Sequence, residues 1–251
     1  MNDLYGNALA RVYDKMYQVF IDYEAEYQFY AKYCNAFGVT SVLEIACGSG
    51  NLAAAFSKNF IDYLGLNSSE HMLQLARQKF SSGRFLHADM RDFVLPKKYN
   101  AALITGRSTS YLLTDRDVND TVACVYRALS GNGIFIFDCI DADRFIPYLE
   151  QNPSVIHDAI IDGVRYSRES QWSHRLTQNI DTVDWSANYY SDQGGGKRLL
   201  GQDSVVFRIF CEAEVRAMLG SNGFEVLEVL ERKTYAFDTF VIVAKKGQKK
   251  T

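Results

Sequence analysis

"VLEIACGSGNLA", residues 42–53, decides how this chain folds. An apolar run carries one carboxylate, Glu44, and then gives way to small residues with Gly48 and Gly50. Apolar residues without polar alternation mark a strand covered on both faces. Glycines let backbone approach a ligand closely. "NLAAAFSKN", residues 51–59, reads as a short alanine-rich helix. Strand, glycine loop and helix in that order form the first turn of a doubly wound sheet, the place where such sheets bind ligands. Gly48-Ser49-Gly50-Asn51-Leu52-Ala53 even satisfies the dinucleotide pattern, with alanine in its last place. Alone, that pattern also fits a tight turn that only packs a helix on a strand.

The surroundings supply the context. "IDYLGL" (61–66), "RFLHA" (84–88), "AALIT" (101–105) and "IFIFDCI" (134–140) read as further strands, the last apolar almost throughout and therefore central. Between them, "SSEHMLQLARQKF" (68–80) puts Met72, Leu75, Ala76 and Phe80 at helical spacing. "TDRDVNDTVACVYRALSGNG" (114–133) is a helix capped by Thr114, with a stripe of Val118, Val122, Val125 and Leu129, stopped at Gly131. "CEAEVRAMLGSNGF" (211–224) is a helix stopped by Asn222-Gly223, and "EVLEVLE" and "TFVIVAKK" follow as a closing antiparallel pair. Such alternation predicts an α/β fold: a Rossmann-like, doubly wound, mostly parallel seven-stranded sheet with an antiparallel last strand.

Two segments stand outside this pattern. From Ala8 to about Phe37 the chain reads as helical and rich in tyrosine. Tyr13 and Tyr17 share one face, and Tyr23, Tyr27 and Tyr30 form a second row. From Asp143 to Phe207 aromatic and β-branched residues alternate with polar ones, and "DQGGGK" (192–197) reads as a hairpin turn. The expected layout is N-terminal helices over 1–37 acting as a lid, a core over 38–142 and 208–251, and an inserted antiparallel β lobe over 143–207 covering the substrate site.

Bulk properties exclude several classes. A net charge of -3 gives no electrostatic footprint for nucleic acid, and the basic "KKGQKK" (245–250) reads as a solvated tail. The five cysteines, Cys34, Cys47, Cys124, Cys139 and Cys211, are not at metal-ligand spacing, so no metal is expected. The start of the chain lacks a basic-then-apolar signal, and no apolar run is long enough for a bilayer. The expectation is a cytoplasmic protein with no membrane or nucleic-acid partner. An exposed edge in the insert offers a pairing surface for a homodimer.

Two features favour S-adenosylmethionine over NAD in the glycine loop. Glu44 would be poorly placed against a pyrophosphate but suits the ammonium of a methionine moiety. The order of elements ends in an antiparallel pair. The chain thus resembles the class I S-adenosylmethionine-dependent methyltransferases. "VLEIACGSGNLA" matches their glycine motif, "YLGLNSSEHMLQLAR" the segment after the second strand, and "FLHADMRDF" the adenine-binding motif. "RALSGNGIFIFD" matches the approach to the fifth strand, and "CEAEVRAMLGSNGFEV" with "TFVIVAKK" the C-terminal ending. "VYDKMY" (12–17) and the β-rich insert resemble the branch that methylates small molecules such as glycine and amino sugars.

The resemblance implies a cofactor site of Tyr17, Glu44, Ala46, Gly48, Gly50, Leu52, Asn67, Ser68, Met72, Asp89, Met90 and Thr105. Glu44 would take the cofactor's amino group, Asp89 the adenine amino group, and the Met90 amide a ring nitrogen. Asn67 stands where the family usually has an acid that accepts both ribose hydroxyls, and with Glu70 it also looks like a helix cap. The product would be S-adenosylhomocysteine, and the acceptor a nitrogen or oxygen of a small polar molecule. Around the acceptor the expected residues are Tyr13, Arg107, Tyr111 and His174. Arg107 would clamp an anionic group of the substrate, or bridge within its own loop. Tyr111 would wall the site. Tyr13 or Tyr17 could face the sulfonium. His174 shares a strand face with Trp172 and titrates near neutrality, which suits a general base; His157 is a second candidate. An NAD(P)-dependent oxidoreductase and a catalytically degenerate methyltransferase fold stay open as alternatives at this point.

Overall fold

The computed structural model describes residues 7–60, 62–234 and 238–247. The start of the chain, the first residue of "IDYLGL" and residues 248–250 of "KKGQKK" lie outside the described residues, while Lys245 and Lys246 belong to the last strand rather than to a solvated tail. Among the described residues, no helix is long and apolar enough to cross a membrane.

The quoted stretch forms β1 (Ser41–Ile45) and the turn into α3 (Ala53–Asn59). β1 lies between β2 (Asp62–Asn67) and β4 (Tyr99–Ile104) and is parallel to both. Leu43 and Ile45 enter the core under α5 (Asp115–Ala128) and α7 (Glu212–Ser221), whereas Val42 enters the core under α2 (Tyr23–Ala36) and α3. Both faces are covered, which is why the strand shows no polar alternation. Truncating Leu43, fully buried, to alanine would cost about 2–5 kcal/mol.

Beyond β2 come α4 (Glu70–Lys79) and β3 (Phe85–His87). Beyond β4 come β5 (Leu129–Ile140), β11 (Asp238–Lys246) and β10 (Phe224–Lys233). The sheet order is β10-β11-β5-β4-β1-β2-β3. β11 runs antiparallel to both neighbours, so the fold is the predicted one.

The N-terminal helical stretch is two helices, α1 (Asn7–Phe20) and α2, as expected, and two readings further along need correction. Asp22 separates the two helices, because its side chain accepts from Ala25 N at 3.0 Å and so caps a new helix. α5 has the predicted Thr114 cap, reciprocated by Asp117. It ends at Ala128 rather than at Gly131, since Leu129 is already extended and β5 takes up the glycines around Asn132, which sits at φ 62°. The segment after β5 begins with a helix, α6 (Ala142–Gln151), before any lobe strand. Asp141 caps it, and Ala142, Phe145 and Leu149 bury one face; Pro147 and the aromatic surroundings mask that helical spacing in the sequence.

The lobe itself is a four-stranded antiparallel sheet in the order β6 (Ser154–Ile161), β7 (Val164–Thr177), β8 (Ile180–Asp192), β9 (Arg198–Arg208). Asp162-Gly163 and Gln178-Asn179 all have positive φ, the mark of tight hairpin turns matched to strand twist. In "DQGGGK" the Asp192 carboxylate accepts from Gly194 N at 2.7 Å and Gly196 N at 3.2 Å, closing the third hairpin. The inner face of the lobe packs Trp172, Trp185 and Tyr189 against Leu9 and Met16 of α1 and Phe145 of α6.

Candidate active site

One chamber of about 920 Å³ opens at the carboxyl ends of β1, β2, β4 and β5. α1 and the inner face of the lobe close it from the other side.

The glycine loop forms its floor. Ala46, Gly48 and Gly50 all have positive φ, at 58°, 56° and 71°. The two glycines there serve different ends. A Cβ on Gly48 would meet Met72 Cε at 3.6 Å, an ordinary contact at the chamber wall. A Cβ on Gly50 would lie 2.9 Å from Ala76 Cβ, so Gly50 lets α4 pack onto the loop. Gly50 does not line the chamber, which answers the packing alternative for that residue alone.

Glu44 sits above the floor with 2% exposure. Tyr63 donates to its Oε2 at 2.6 Å. Burial pushes its carboxyl up to about 7, although the hydrogen bonds from Tyr63 and Thr105 pull it back. Asn67 ends β2, and its Oδ1 accepts from Ser69 N at 3.2 Å. The N-cap of α4 is Ser69, whose Oγ accepts from Met72 N at 3.3 Å, and not Asn67. Asn67 faces the chamber with Ser68 and Met72. Asp89 and Met90 line its far end. The Asp89 carboxylate accepts from Arg91 N, Nε and Nη2 at 2.8, 3.0 and 2.7 Å, and this holds it below the usual carboxylate range. Each oxygen keeps acceptor capacity toward a ligand. His87 stands nearby, its Nε2 2.9 Å from the Ser68 carbonyl.

After β4 the loop carries Thr105, Gly106 and Arg107 at the wall, the last two with positive φ. For an arginine that conformation is strained, and such strain gathers at functional loops. Arg107 N donates to Asp138 Oδ1 at 2.8 Å, and its Nη1 donates to Thr234 Oγ1 at 3.2 Å. Tyr111 packs edge-on against Phe207 of β9, with ring centroids 5.4 Å apart. Tyr13 and Tyr17 stack at 3.9 Å on the roof. Tyr17 accepts from Arg168 Nη1 of the lobe at 3.3 Å. Polar contacts also tie α1 to the floor: Asp14 Oδ1 accepts from Ser49 Oγ and from Lys79 Nζ, both at 2.5 Å.

The structure thus brings fourteen of the sixteen expected residues to one wall: Tyr13, Tyr17, Glu44, Ala46, Gly48, Leu52, Asn67, Ser68, Met72, Asp89, Met90, Thr105, Arg107 and Tyr111. Gly50 lies behind the floor. His174 stands outside the chamber, where its Nε2 meets Asp181 Oδ1 at 2.7 Å in a cross-hairpin pair. Trp172 lines the chamber and His174 does not, so sharing a strand face was not enough to carry both there. His157 contacts Arg168 Nη2 at 3.2 Å and likewise stays out of the lining. Sequence reading missed Asp138, Arg168, Trp185, Phe207 and Arg232, all of which line the chamber. Asp138 carried a signal: like Glu44, it is a carboxylate inside an apolar strand, "IFIFDC". The lobe residues carried none, because which strand face turns inward depends on how the lobe docks.

Comparison with known proteins bears on the family and the fold. A family model described as a methyltransferase domain matches residues 42–133. The dTDP-3-amino-3,4,6-trideoxy-alpha-D-glucopyranose N,N-dimethyltransferase of Streptomyces venezuelae is 34% identical over 193 residues, covering 76% of this chain and 78% of its own. The crystal structure of Streptomyces venezuelae DesVI superimposes with a TM-score of 0.77 at 28% identity, covering 93% of this chain and 97% of the other. The S-adenosylmethionine-bound structure of CalS10, an amino pentose methyltransferase of Micromonospora echinaspora, shares the fold with a TM-score of 0.79 at 20% identity, covering 94% and 96%. These likenesses set aside both the nicotinamide oxidoreductase and the non-catalytic alternatives. Together with the glycine floor, the buried Glu44 and the sheet order, they establish that the chain belongs to the class I S-adenosylmethionine-dependent methyltransferases.

Proposed function

We propose that the chain methylates the amine nitrogen of a small polar molecule, with an amino sugar as the first candidate. The observation that carries this reading is that one chamber serves both sides. It joins the trough over the glycine loop to a wall of Tyr111, Trp172, Trp185, Phe207 and Arg168. Its volume of about 920 Å³ leaves room for donor and acceptor together. A relative that acts on a dTDP-linked amino sugar supports the amine acceptor.

The residues present fit S-adenosylmethionine. Gly48 keeps the floor free of a side chain, and Glu44 offers a buried carboxylate for an ammonium group. Asn67 and Asp89 offer acceptors for ribose and adenine. When bound, the sulfonium supplies a methyl group already activated for transfer. The protein's share is then positioning and the exclusion of water, which can contribute about 7–11 kcal/mol. α1 and the lobe would exclude water, while the loop of residues 105–111 would orient the acceptor.

The test is turnover with S-adenosylmethionine and a panel of dTDP-amino sugars, free amino sugars and amino acids, each beside its hydroxyl counterpart. Products are read by mass spectrometry. Methylation of an amine and not of the matching hydroxyl supports the reading. Methylation of hydroxyls alone overturns it.

A further inference from the structure

We propose that Asp138 is a catalytic residue of the acceptor site, its Oδ2 taking the proton from the amine to be methylated. The proposal rests on the amine reading above.

Asp138 stands near the end of β5, 4% exposed, on the chamber wall. Its two oxygens differ. Oδ1 accepts from Arg107 N at 2.8 Å, which fixes the carboxylate against the loop that follows β4. Thr109 Oγ1 donates to the Asp138 carbonyl at 2.6 Å and pins the same loop a second time. Oδ2 accepts no hydrogen bond from any described residue. It is not enclosed by protein either, so on the chamber wall it can take a donor from a bound ligand.

The register separates its task from that of Glu44. Glu44 pairs with Leu103 of β4 from one side. On the other side Ile104 pairs with Phe137, and Asp138 is the next residue. The two buried carboxylates therefore flank β4, Glu44 toward the glycine loop and Asp138 toward the loop of residues 105–111. With Glu44 given to the donor side, Asp138 is the carboxylate left for the acceptor.

Its electrostatic setting suits a base. Arg107 faces it from the loop after β4, Arg232 from β10, and Glu26 and Tyr30 from α2. Glu26 takes Arg232 in a bidentate pair at 2.6 and 3.0 Å, so those two charges offset each other. Burial pushes the Asp138 carboxyl up to about 6, with Arg107 opposing. Such a group is ionised at neutral pH yet basic enough to hold a proton.

An alkyl amine arrives at neutral pH as an ammonium ion with no lone pair. One N–H bond breaks, the proton passes to Oδ2, and the bonding pair stays on nitrogen for methyl transfer. Asp138 becomes a neutral acid and keeps its bond from Arg107 N. It returns the proton to water when product leaves. A second methylation of the same nitrogen would use the same step.

The test compares kcat/KM against pH for the wild type with Asp138→Asn, on an amine that the wild type turns over. The expected wild-type profile rises through about pH 6 and is level from there up to the amine's own pKa, above which the amine arrives with its lone pair and needs no base. Asp138→Asn should lose about 100-fold or more in turnover, with affinity for S-adenosylhomocysteine unchanged and a melting temperature at neutral pH no lower than that of the wild type. An Asp138→Asn enzyme with full turnover overturns the proposal. So does a wild-type profile that climbs steadily to the amine's pKa, and that measurement stands even if the variant does not fold. If the wild type methylates no amine at all, the amine reading fails and this proposal falls with it, and the wild-type arm alone shows this.

Discussion

Tyr63 of β2 donates its phenol hydrogen to Glu44 Oε2 of β1 at 2.6 Å, and neither side chain reaches bulk water. Burial holds the Glu44 carboxyl at about 7, far above an exposed glutamate. Two measurable effects follow. The folded-state pKa is raised, so the contribution of this group to stability is present below the unfolded value of 4.5 and is lost as pH rises to about 7. Glu44→Gln should therefore melt like the wild type near pH 5 and above it at pH 8. Binding of an ammonium-bearing cofactor should ionise Glu44 and release a proton at pH 6 but not at pH 8. Calorimetry in buffers of different ionisation enthalpy reads that proton directly. No proton release at pH 6 would rule out Glu44 as the ammonium partner.

The two loop glycines should respond differently to alanine. Gly48→Ala meets only an ordinary contact, so its cost is that of a left-handed residue, about 1–2 kcal/mol. Gly50→Ala meets the same conformational cost and also drives a methyl group to 2.9 Å from Ala76 Cβ. Forced overpacking of that kind adds about 1–3 kcal/mol. Urea denaturation should rank Gly50→Ala as the less stable. The reverse order would mean that α4 yields easily and that Gly50 is not a packing device.

Asn67 accepts from Ser69 N through Oδ1, a bond that an aspartate keeps. Asn67→Asp should preserve the turn into α4 and add a charged acceptor for the ribose hydroxyls. Charge-assisted hydrogen bonds are about twice as strong as neutral ones. The expected outcome is tighter binding of S-adenosylhomocysteine at unchanged thermal stability, measured by calorimetry. Weaker binding would show that the ribose does not lie at Asn67.

The sheet and the glycine floor of the chamber were legible because local pattern and global fold agree there. The apolar run of β1 is buried on both faces, and Glu44 interrupts it for a reason the strand itself does not supply. The acceptor side was less legible. Tyr13 and Tyr17 carry the same helical spacing as Tyr23, Tyr27 and Tyr30, yet the first pair roofs the chamber while Tyr27 and Tyr30 pack against α3 and the sheet. Spacing fixes which residues share a face, but not what that face meets. His174 and Trp172 show the same limit on one strand: Trp172 lines the chamber, and His174 pairs with Asp181 across the hairpin turn. His174→Ala should accordingly leave turnover unchanged, and a steady-state assay that finds a large loss would return the base role to it.

Helix α1 is fastened to the cofactor loop by polar contacts rather than by apolar packing alone. Asp14 takes Ser49 Oγ and Lys79 Nζ, Lys79 also reaches Asn51 Oδ1 at 2.6 Å, and Gln18 donates to the same oxygen at 2.6 Å. Asp14 is nearly buried, and the Tyr13 and Tyr17 rings stand on the same helix over the chamber. We predict that this roof opens for cofactor exchange and that the latch sets how often. Hydrogen bonds to charged groups are worth about 1.5–3 kcal/mol. Removing Lys79 leaves the more deeply buried Asp14 carboxylate with Ser49 alone among the described residues, whereas Lys79 keeps Asn51 when Asp14 is removed, so Lys79→Ala should cost more stability than Asp14→Ala. The double mutant should recover part of that loss, since the two residues act through one contact. Stopped-flow displacement should show S-adenosylhomocysteine leaving faster from Asp14→Ala than from the wild type. A dissociation rate untouched by Asp14→Ala would mean that α1 is a fixed wall, and that cofactor enters by another route.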